Sequence, residues 1–182
     1  MGPLVAVLDT DVLFGRTLRD VLLYAASRYV FQPRWSPETL EELRENLVAR
    51  SKMPPEGAER LCANLRRAFE EAEVVGFEAR LPEVRNHPKD RHVAAAALHA
   101  EASMIVTRNL PDFEPPPEGV RVLSPDQFLC LLLQLERENV VGVLRYLETV
   151  YKDPPLTLAE VLDTLESDAP VFVANVRRLL GT

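Results

Sequence analysis

Residues 4–11 are Leu4-Val5-Ala6-Val7-Leu8-Asp9-Thr10-Asp11, an unbroken apolar run that ends in two aspartates. A strand that is apolar at every position is typical of a parallel sheet covered on both faces, where neither side of the strand meets water. Asp9, the first polar residue, is then expected at the carboxyl end of the strand. Because open α/β sheets bind ligands at that edge, the run predicts both a fold class and the place of a site.

A second run of the same kind, Met104-Ile105-Val106-Thr107, is followed by the polar segment Arg108-Asn109-Leu110-Pro111-Asp112-Phe113. Two parallel strands that end in this way bring their polar residues to one edge of one sheet. We therefore expect Asp9 and Asp112 on the same side of the molecule.

Strand and helix signals alternate along the chain, as in α/β folds with crossover helices. Ser36-Pro37 and Ser124-Pro125 each place a capping residue before a proline, which predicts the start of a helix. The predicted strands are 4–8, 73–77, 104–107 and 120–123, and the predicted helices are 12–29, from 36, 56–72, 89–102 and from 124. Later residues show only helical patterns. We therefore divide the chain into an α/β domain, 1–136, and a helical C-terminal extension, 137–182.

The composition is that of an ordinary globular protein. With 182 residues, 47% hydrophobic and 27% charged, the chain can bury a full core. No apolar stretch approaches the roughly 18 residues of a membrane span, and no basic segment precedes an apolar one as in a signal peptide. Two cysteines without metal-type spacing, Cys62 and Cys130, are expected to be buried thiols. These features predict a cytoplasmic protein that does not associate with membranes.

The net charge of −7 argues against a protein that coats nucleic acid with a broad basic surface. It does not exclude a nuclease, because metal-binding carboxylates are themselves negative and their cations reverse the local field. Hydrolysis of a phosphodiester needs an activated water, a neutralised phosphate and a stabilised leaving oxygen, all of which carboxylate-bound divalent cations supply. Four acids stand where a two-metal nuclease needs them: Asp9, Glu42, Asp90 and Asp112.

Each of these acids also has a simpler interpretation. Asp9 can cap the helix that follows it, Asp90 favours the dipole of the helix that it opens, and Asp112 suits an ordinary turn. Neither Glu41 nor Glu42 lies on the leucine stripe of its predicted helix, so periodicity does not choose between them. The residues alone leave these alternatives open.

Four segments together resemble the PIN-domain family of the VapC type, the toxin half of bacterial and archaeal toxin–antitoxin pairs. The resemblance covers roughly residues 4–130, and its segments are Leu8-Asp9-Thr10-Asp11-Val12-Leu13, Trp35-Ser36-Pro37-Glu38-Thr39-Leu40-Glu41-Glu42-Leu43, Asp90-Arg91-His92-Val93-Ala94-Ala95-Ala96 and Val106-Thr107-Arg108-Asn109-Leu110-Pro111-Asp112-Phe113. A further likeness at Lys152-Asp153-Pro154-Pro155-Leu156-Thr157 indicates a subgroup with a helical C-terminal extension.

The resemblance implies a three-layer α/β/α fold with a parallel central sheet and the activity of a Mg²⁺- or Mn²⁺-dependent endoribonuclease. It implies four residues as both metal ligands and catalytic groups: Asp9, Glu42, Asp90 and Asp112. Glu42 is preferred to Glu41 because the family places its acid directly before an apolar residue, here Leu43. The resemblance also implies an RNA substrate, a homodimer and a cognate antitoxin with a segment that blocks the metal site.

Other residues near these motifs are assigned supporting roles. Asp11 stands where the family more often has asparagine, so it either tightens metal binding or caps the first helix. Thr107 and Asn109 match polar positions expected to orient a ligand or a water molecule. Arg91 and Arg108 flank the predicted site and are candidates for phosphate contacts. His92 is expected to be structural, as a lone histidine on a helix usually is.

Two other functions fit part of the sequence. In a haloacid-dehalogenase-like phosphatase, Asp9 would be the nucleophile and Asp11 the acid/base, but that family also needs a later strand that ends in paired acids. The run at 120–123 is followed instead by a helix start, Ser124-Pro125-Asp126. A non-catalytic PIN-like binding module in RNA processing would tolerate the loss of Asp90 without a change in activity.

Overall fold

The chain forms a parallel sheet covered by helices in a computed structural model that describes residues 4–181. The strands are β1 (Val5–Leu8), β2 (Gln32–Arg34), β3 (Met104–Val106) and β4 (Arg121–Leu123), in the order β2-β1-β3-β4. In the register of the sheet, Ala6 of β1 lies opposite Met104 of β3. The carboxyl ends of β1 and β3 are therefore adjacent, as predicted. Residues 1–3 and 182, the ends of the two predicted domains, lie outside the described residues.

The helices of the described chain are α1 (Thr10–Phe14), α2 (Arg16–Ser27), α3 (Pro37–Ala49), α4 (Pro55–Ala68), α5 (Arg91–His99), α6 (Pro125–Leu135), α7 (Arg137–Val150), α8 (Leu158–Leu165) and α9 (Pro170–Leu180). Two 3₁₀ helices cover Phe77–Glu83 and Leu110–Phe113. The hydroxyls of Ser36 and Ser124 cap α3 and α6, which confirms both predicted helix starts. Between residues 4 and 181, no helix is both long and apolar enough to cross a membrane.

Both faces of the sheet are covered, which confirms the three-layer α/β/α architecture. Ala6 and Leu8 of β1 face a large core that contains residues of α1–α4 and α6–α9. Val7 faces a second core, formed mainly by the alanine-rich α5 together with Phe77 and Phe113. β1 is apolar at every position because it is buried between these two cores.

The C-terminal helices share the large core. The side chains of Val143, Leu147 and Leu162 are buried, as expected if the extension packs on the α/β domain. The proposed division after residue 136 falls at the turn between α6 and α7.

Two predicted elements differ from the structure. The single helix expected at 12–29 is divided at Gly15 and ends at Ser27, so Tyr29, expected on its buried face, adopts a left-handed φ of 60° and is 92% exposed. The strand expected at 73–77 is reduced to one bridge between Trp35 and Glu73. Gly76, with a φ of 77°, turns the chain into the 3₁₀ helix that follows.

Candidate active site

Asp9 lies at the carboxyl end of β1 and is 8% exposed. Its Oδ1 accepts a hydrogen bond from the backbone N–H of Thr10 at 2.7 Å, and its Oδ2 accepts one from the hydroxyl of Thr107 at 2.8 Å. Burial, assisted by the charge of Asp11, raises the pKa of Asp9 to about 7. Asp9 therefore does cap α1, but its hydrogen bonds do not compensate for the loss of water around the carboxylate.

Asp11 joins the first turn of α1 to the segment that follows β3. Its carboxylate accepts hydrogen bonds from the backbone N–H of Arg108 at 3.0 and 3.2 Å, and the guanidinium of Arg108 donates to the Asp11 carbonyl at 2.7 Å. Burial raises the pKa of Asp11, although the contacts with Arg108 oppose the shift. Asp11 thus ties the segment after β1 to the segment after β3, in addition to its place in the first turn of α1.

Glu42 enters the same region from α3. Its Oε2 accepts a hydrogen bond from the hydroxyl of Thr10 at 2.8 Å, and its Oε1 lies 3.5 Å from Nε2 of His92. The other ring nitrogen of His92 lies 2.7 Å from the hydroxyl of Ser36. The contact with His92 lowers the pKa of Glu42 despite its partial burial. Burial disfavours a charged His92, but the hydrogen bond and charge of Glu42 outweigh it and raise the pKa of His92.

The contact of His92 with Glu42 was not predicted from the sequence, from which His92 was expected to be a structural residue outside the site. His92 lies two residues after Asp90 and orients Glu42 from the facing helix, so it belongs to the surroundings of the site. Glu41, by contrast, is exposed on the outer side of α3 and pairs with Arg44, whose Nε lies 3.1 Å from its carboxylate. Of the two glutamates that periodicity left open, Glu42 is the one that faces the other acids.

Asp90 stands at the N-terminal end of α5, but its side chain makes no capping hydrogen bond. Its carboxylate lies 3.7 Å from Nδ1 of His87. Burial, together with the charge of Asp112, raises the pKa of Asp90. Asp112 lies in the 3₁₀ helix after β3 and accepts a hydrogen bond from the side-chain amide of Asn109. The side chain of Asp90 therefore does not cap α5 through a hydrogen bond, although its place at the start of the helix still suits the helix dipole.

All four predicted acids line one open cleft of about 560 Å³. Three cationic side chains line it as well: Arg50, Lys89 and Arg108. Arg91 takes a different position from the one expected, since its Nε donates to the backbone carbonyl of Asn86 at 3.0 Å and it is not among the cleft residues. The cleft thus combines several carboxylates with cationic groups that suit a phosphate.

The donor set of the cleft fits a hard divalent cation, because Mg²⁺ and Mn²⁺ prefer carboxylate oxygens. Burial, together with neighbouring carboxylates, raises the pKa values of Asp9 and Asp90, and a bound cation would favour the charged forms of both side chains. In the described conformation, however, no three His, Cys, Asp or Glu side chains of residues 4–181 are grouped closely enough to hold a metal. Asp9, Glu42 and Asp112 each accept a hydrogen bond from a nearby side chain instead.

Comparisons with known proteins match two parts of the chain. A family model described as a PIN domain matches residues 5–111, which include Asp9, Glu42 and Asp90, and a model described as the VapC50 C-terminal domain matches residues 125–178. VapC50 of Mycobacterium tuberculosis, named as a candidate ribonuclease, is 40% identical over 107 residues, or 57% of this chain. The match spans 63% of the length of that relative. No solved structure matches the chain.

Proposed function

We propose that this chain, which belongs to the PIN-domain family, is a metal-dependent endoribonuclease. The observation that best supports the proposal is that four acids from separate segments line a single cleft at the carboxyl edge of the sheet: Asp9, Glu42, Asp90 and Asp112. The raised pKa of Asp9 supports it further, because burying a carboxylate destabilises a fold and groups with such shifts cluster at functional sites.

In this proposal the four carboxylates hold Mg²⁺ or Mn²⁺ and are the catalytic groups. The bound cations would activate a water molecule and neutralise the scissile phosphate. The hydroxyl of Thr107 orients Asp9, while Thr10 and His92 orient Glu42. These contacts fix the carboxylates in the metal-free conformation, and the binding of a cation would bring the acids of the cleft closer together.

The cationic residues of the cleft suggest how the substrate is bound. Arg50 extends from the end of α3, Lys89 precedes α5, and Arg108 follows β3, so the cations approach the cleft from three sides. In the proposal these side chains contact the phosphodiester backbone, which supplies most of the affinity in protein–nucleic acid complexes. The net charge of −7 does not conflict with this arrangement, because bound divalent cations would offset the carboxylates of the cleft and leave its three cationic side chains for the phosphate.

We also infer that the chain is the toxin of a VapBC-type toxin–antitoxin pair. The support is the match to the VapC50 C-terminal domain and the identity to VapC50. A homodimer and an antitoxin segment that blocks the cleft remain parts of the same proposal. The comparisons give no support to a haloacid-dehalogenase-like phosphatase or to a non-catalytic binding module.

The function can be tested with purified protein, structured RNA and Mg²⁺ or Mn²⁺. Internal RNA fragments on a denaturing gel are the expected product, and a parallel assay with p-nitrophenyl phosphate should show no hydrolysis. Phosphatase activity without RNA cleavage would overturn the proposal in favour of the alternative enzyme.

A comparison of the two neighbouring glutamates of α3 tests the ligand assignment. Glu42→Gln is expected to lower the rate of RNA cleavage by about a hundredfold, because a neutral amide binds a hard cation weakly. Glu41→Gln, the same change one residue earlier, should leave the rate unchanged, because Glu41 pairs with Arg44 outside the cleft. Single-turnover kinetics with both variants gives the answer. Equal rates for the two variants would contradict the assignment of Glu42.

A further inference from the structure

We propose that the C-terminal extension contributes a positioning residue to the cleft: Asp168 orients Arg108 for contact with an RNA phosphate. This inference rests on the proposed ribonuclease function and adds a role for the extension in binding the substrate. The ion pair between Asp168 and Arg108 links the turn after α8 with the segment that directly follows β3.

The guanidinium of Arg108 is held on two sides. Its Nη2 lies 2.8 Å from Oδ1 of Asp168, and its Nη1 donates to the backbone carbonyl of Asp11 at 2.7 Å. Both acidic and basic partners are only partly exposed, at 34% for the Arg108 side chain and 21% for the Asp168 side chain. Arg108 also lines the cleft, so this ion pair lies at the edge of the proposed site.

Gly15 leaves the space in which the ion pair forms. A Cβ atom at residue 15 would lie 3.2 Å from Nη2 of Arg108 and 3.9 Å from Oδ2 of Asp168. The φ of Gly15 is −74°, which any residue can adopt, so its backbone conformation does not require glycine. Glycine therefore suits this position because it has no side chain, which lets the guanidinium of Arg108 approach the backbone closely.

Asp168 is presented by a rigid turn. Its backbone N–H donates to the carbonyl of Leu165 at 3.0 Å, and the next residue, Ala169, donates to the same carbonyl at 2.8 Å. Leu165 and Ala169 are fully buried in the large core, where the extension packs with the α/β domain. The carboxylate is therefore fixed relative to the cleft by the docking of the extension.

An arginine that is oriented in advance binds phosphate better than a mobile one, because less side-chain entropy is lost on binding. The guanidinium has five N–H donors, and the contacts with Asp11 and Asp168 leave others free for a phosphate. If Asp168 positions Arg108, the removal of the acid should weaken RNA binding. If Asp168 only neutralises the charge of Arg108, its removal should strengthen RNA binding. The sign of the change in affinity thus separates positioning from neutralisation.

The kinetic test compares Asp168→Asn with Asp163→Asn, which makes the same change at an exposed acid of α8 paired with Arg177. Asp168→Asn is expected to raise KM about fivefold and Arg108→Ala about tenfold, with kcat little changed, as for the loss of a charged hydrogen bond to substrate. Asp163→Asn should behave as the wild type. Asp168→Asn should add nothing in the Arg108→Ala background, since the acid acts through the arginine. An additive double variant, or a lower KM in Asp168→Asn, would overturn the inference.

A binding assay gives a second result that does not depend on cleavage. The assay measures the Kd for a 2′-O-methyl oligoribonucleotide, which cannot be cut, by fluorescence anisotropy at several salt concentrations. In Arg108→Ala, the slope of log Kd against log salt concentration should be smaller by about 0.7, as for one lost phosphate contact. Asp168→Asn should shift the slope in the same direction, and Asp163→Asn should not. If the variants show this pattern but the wild-type protein cuts no RNA, only the proposed function is contradicted. An unchanged slope in both Arg108→Ala and Asp168→Asn would contradict the inference and the phosphate contact of Arg108, but not the proposed ribonuclease activity.

Discussion

Asp90→Asn is expected to lower metal-dependent RNA cleavage about a thousandfold, because an isosteric amide replaces one of the carboxylates proposed to hold the cations. The fold should remain intact, since the Asp90 side chain makes no capping hydrogen bond. Burial and the charge of Asp112 raise the pKa of Asp90, so the loss of its charge also relieves a repulsion. Single-turnover cleavage kinetics and thermal unfolding of the same preparation measure the two effects.

Asp163→Asn is a suitable control for this change, because Asp163 is exposed on α8 and is not a residue of the cleft. It should cleave RNA at the wild-type rate. If Asp90→Asn kept most of the activity while folding normally, Asp90 would not be a required metal ligand, and another set of catalytic residues would have to be considered.

Asp9→Asn is expected to stabilise the metal-free protein at pH 8, by on the order of 4 kcal/mol if the whole pKa shift of Asp9 contributes. The pKa of Asp9 rises from 3.8 to about 7 on folding, so between these values the native state binds more protons than the unfolded state. Stability of the wild type therefore falls as the pH rises from about 4 to about 7, and the loss is complete above that range. Asparagine has no charge to bury and can still cap α1.

Urea unfolding in the presence of a chelator at pH 4 and pH 8 tests this expectation. The two proteins should differ little at pH 4, where Asp9 is protonated in the folded wild type, and Asp9→Asn should be the more stable at pH 8. Addition of Mn²⁺ at pH 8 should then stabilise the wild type more than the variant, because ligands that bind the native state raise its stability. A variant that is less stable than the wild type at pH 8 would show that the hydrogen bonds from Thr10 and Thr107 outweigh the burial of the charge.

The elements that position the site could be predicted because their signals are local. β1 and β3 are apolar at every position, and each ends in polar residues, which is the pattern of central parallel strands. β2 gave no such signal, since Gln32-Pro33-Arg34 is short and polar at two of its three positions. Proline and polar residues are tolerated there because β2 lies at an edge of the sheet.

Contacts between distant segments could not be predicted in the same way. Nothing in the residues around His92 indicates that its ring lies 3.5 Å from Glu42, since that distance depends on how α3 and α5 face each other. The choice between Glu41 and Glu42 likewise depended on the family resemblance and not on periodicity. The ion pair of Asp168 with Arg108 depends on the docking of the C-terminal helices, for which the sequence offers only amphipathic patterns.

The most direct measurement is the cleavage of one structured RNA by the wild-type protein with Mn²⁺, with a chelator, and with the chelator followed by excess Mn²⁺, beside Asp90→Asn under the same conditions. We expect internal cleavage with Mn²⁺, none with the chelator, recovery on re-addition of the metal, and no cleavage by the variant in any condition. Cleavage that persists in the chelator, or equal cleavage by the wild type and Asp90→Asn, would contradict the assignment of this cleft as a metal-dependent ribonuclease site.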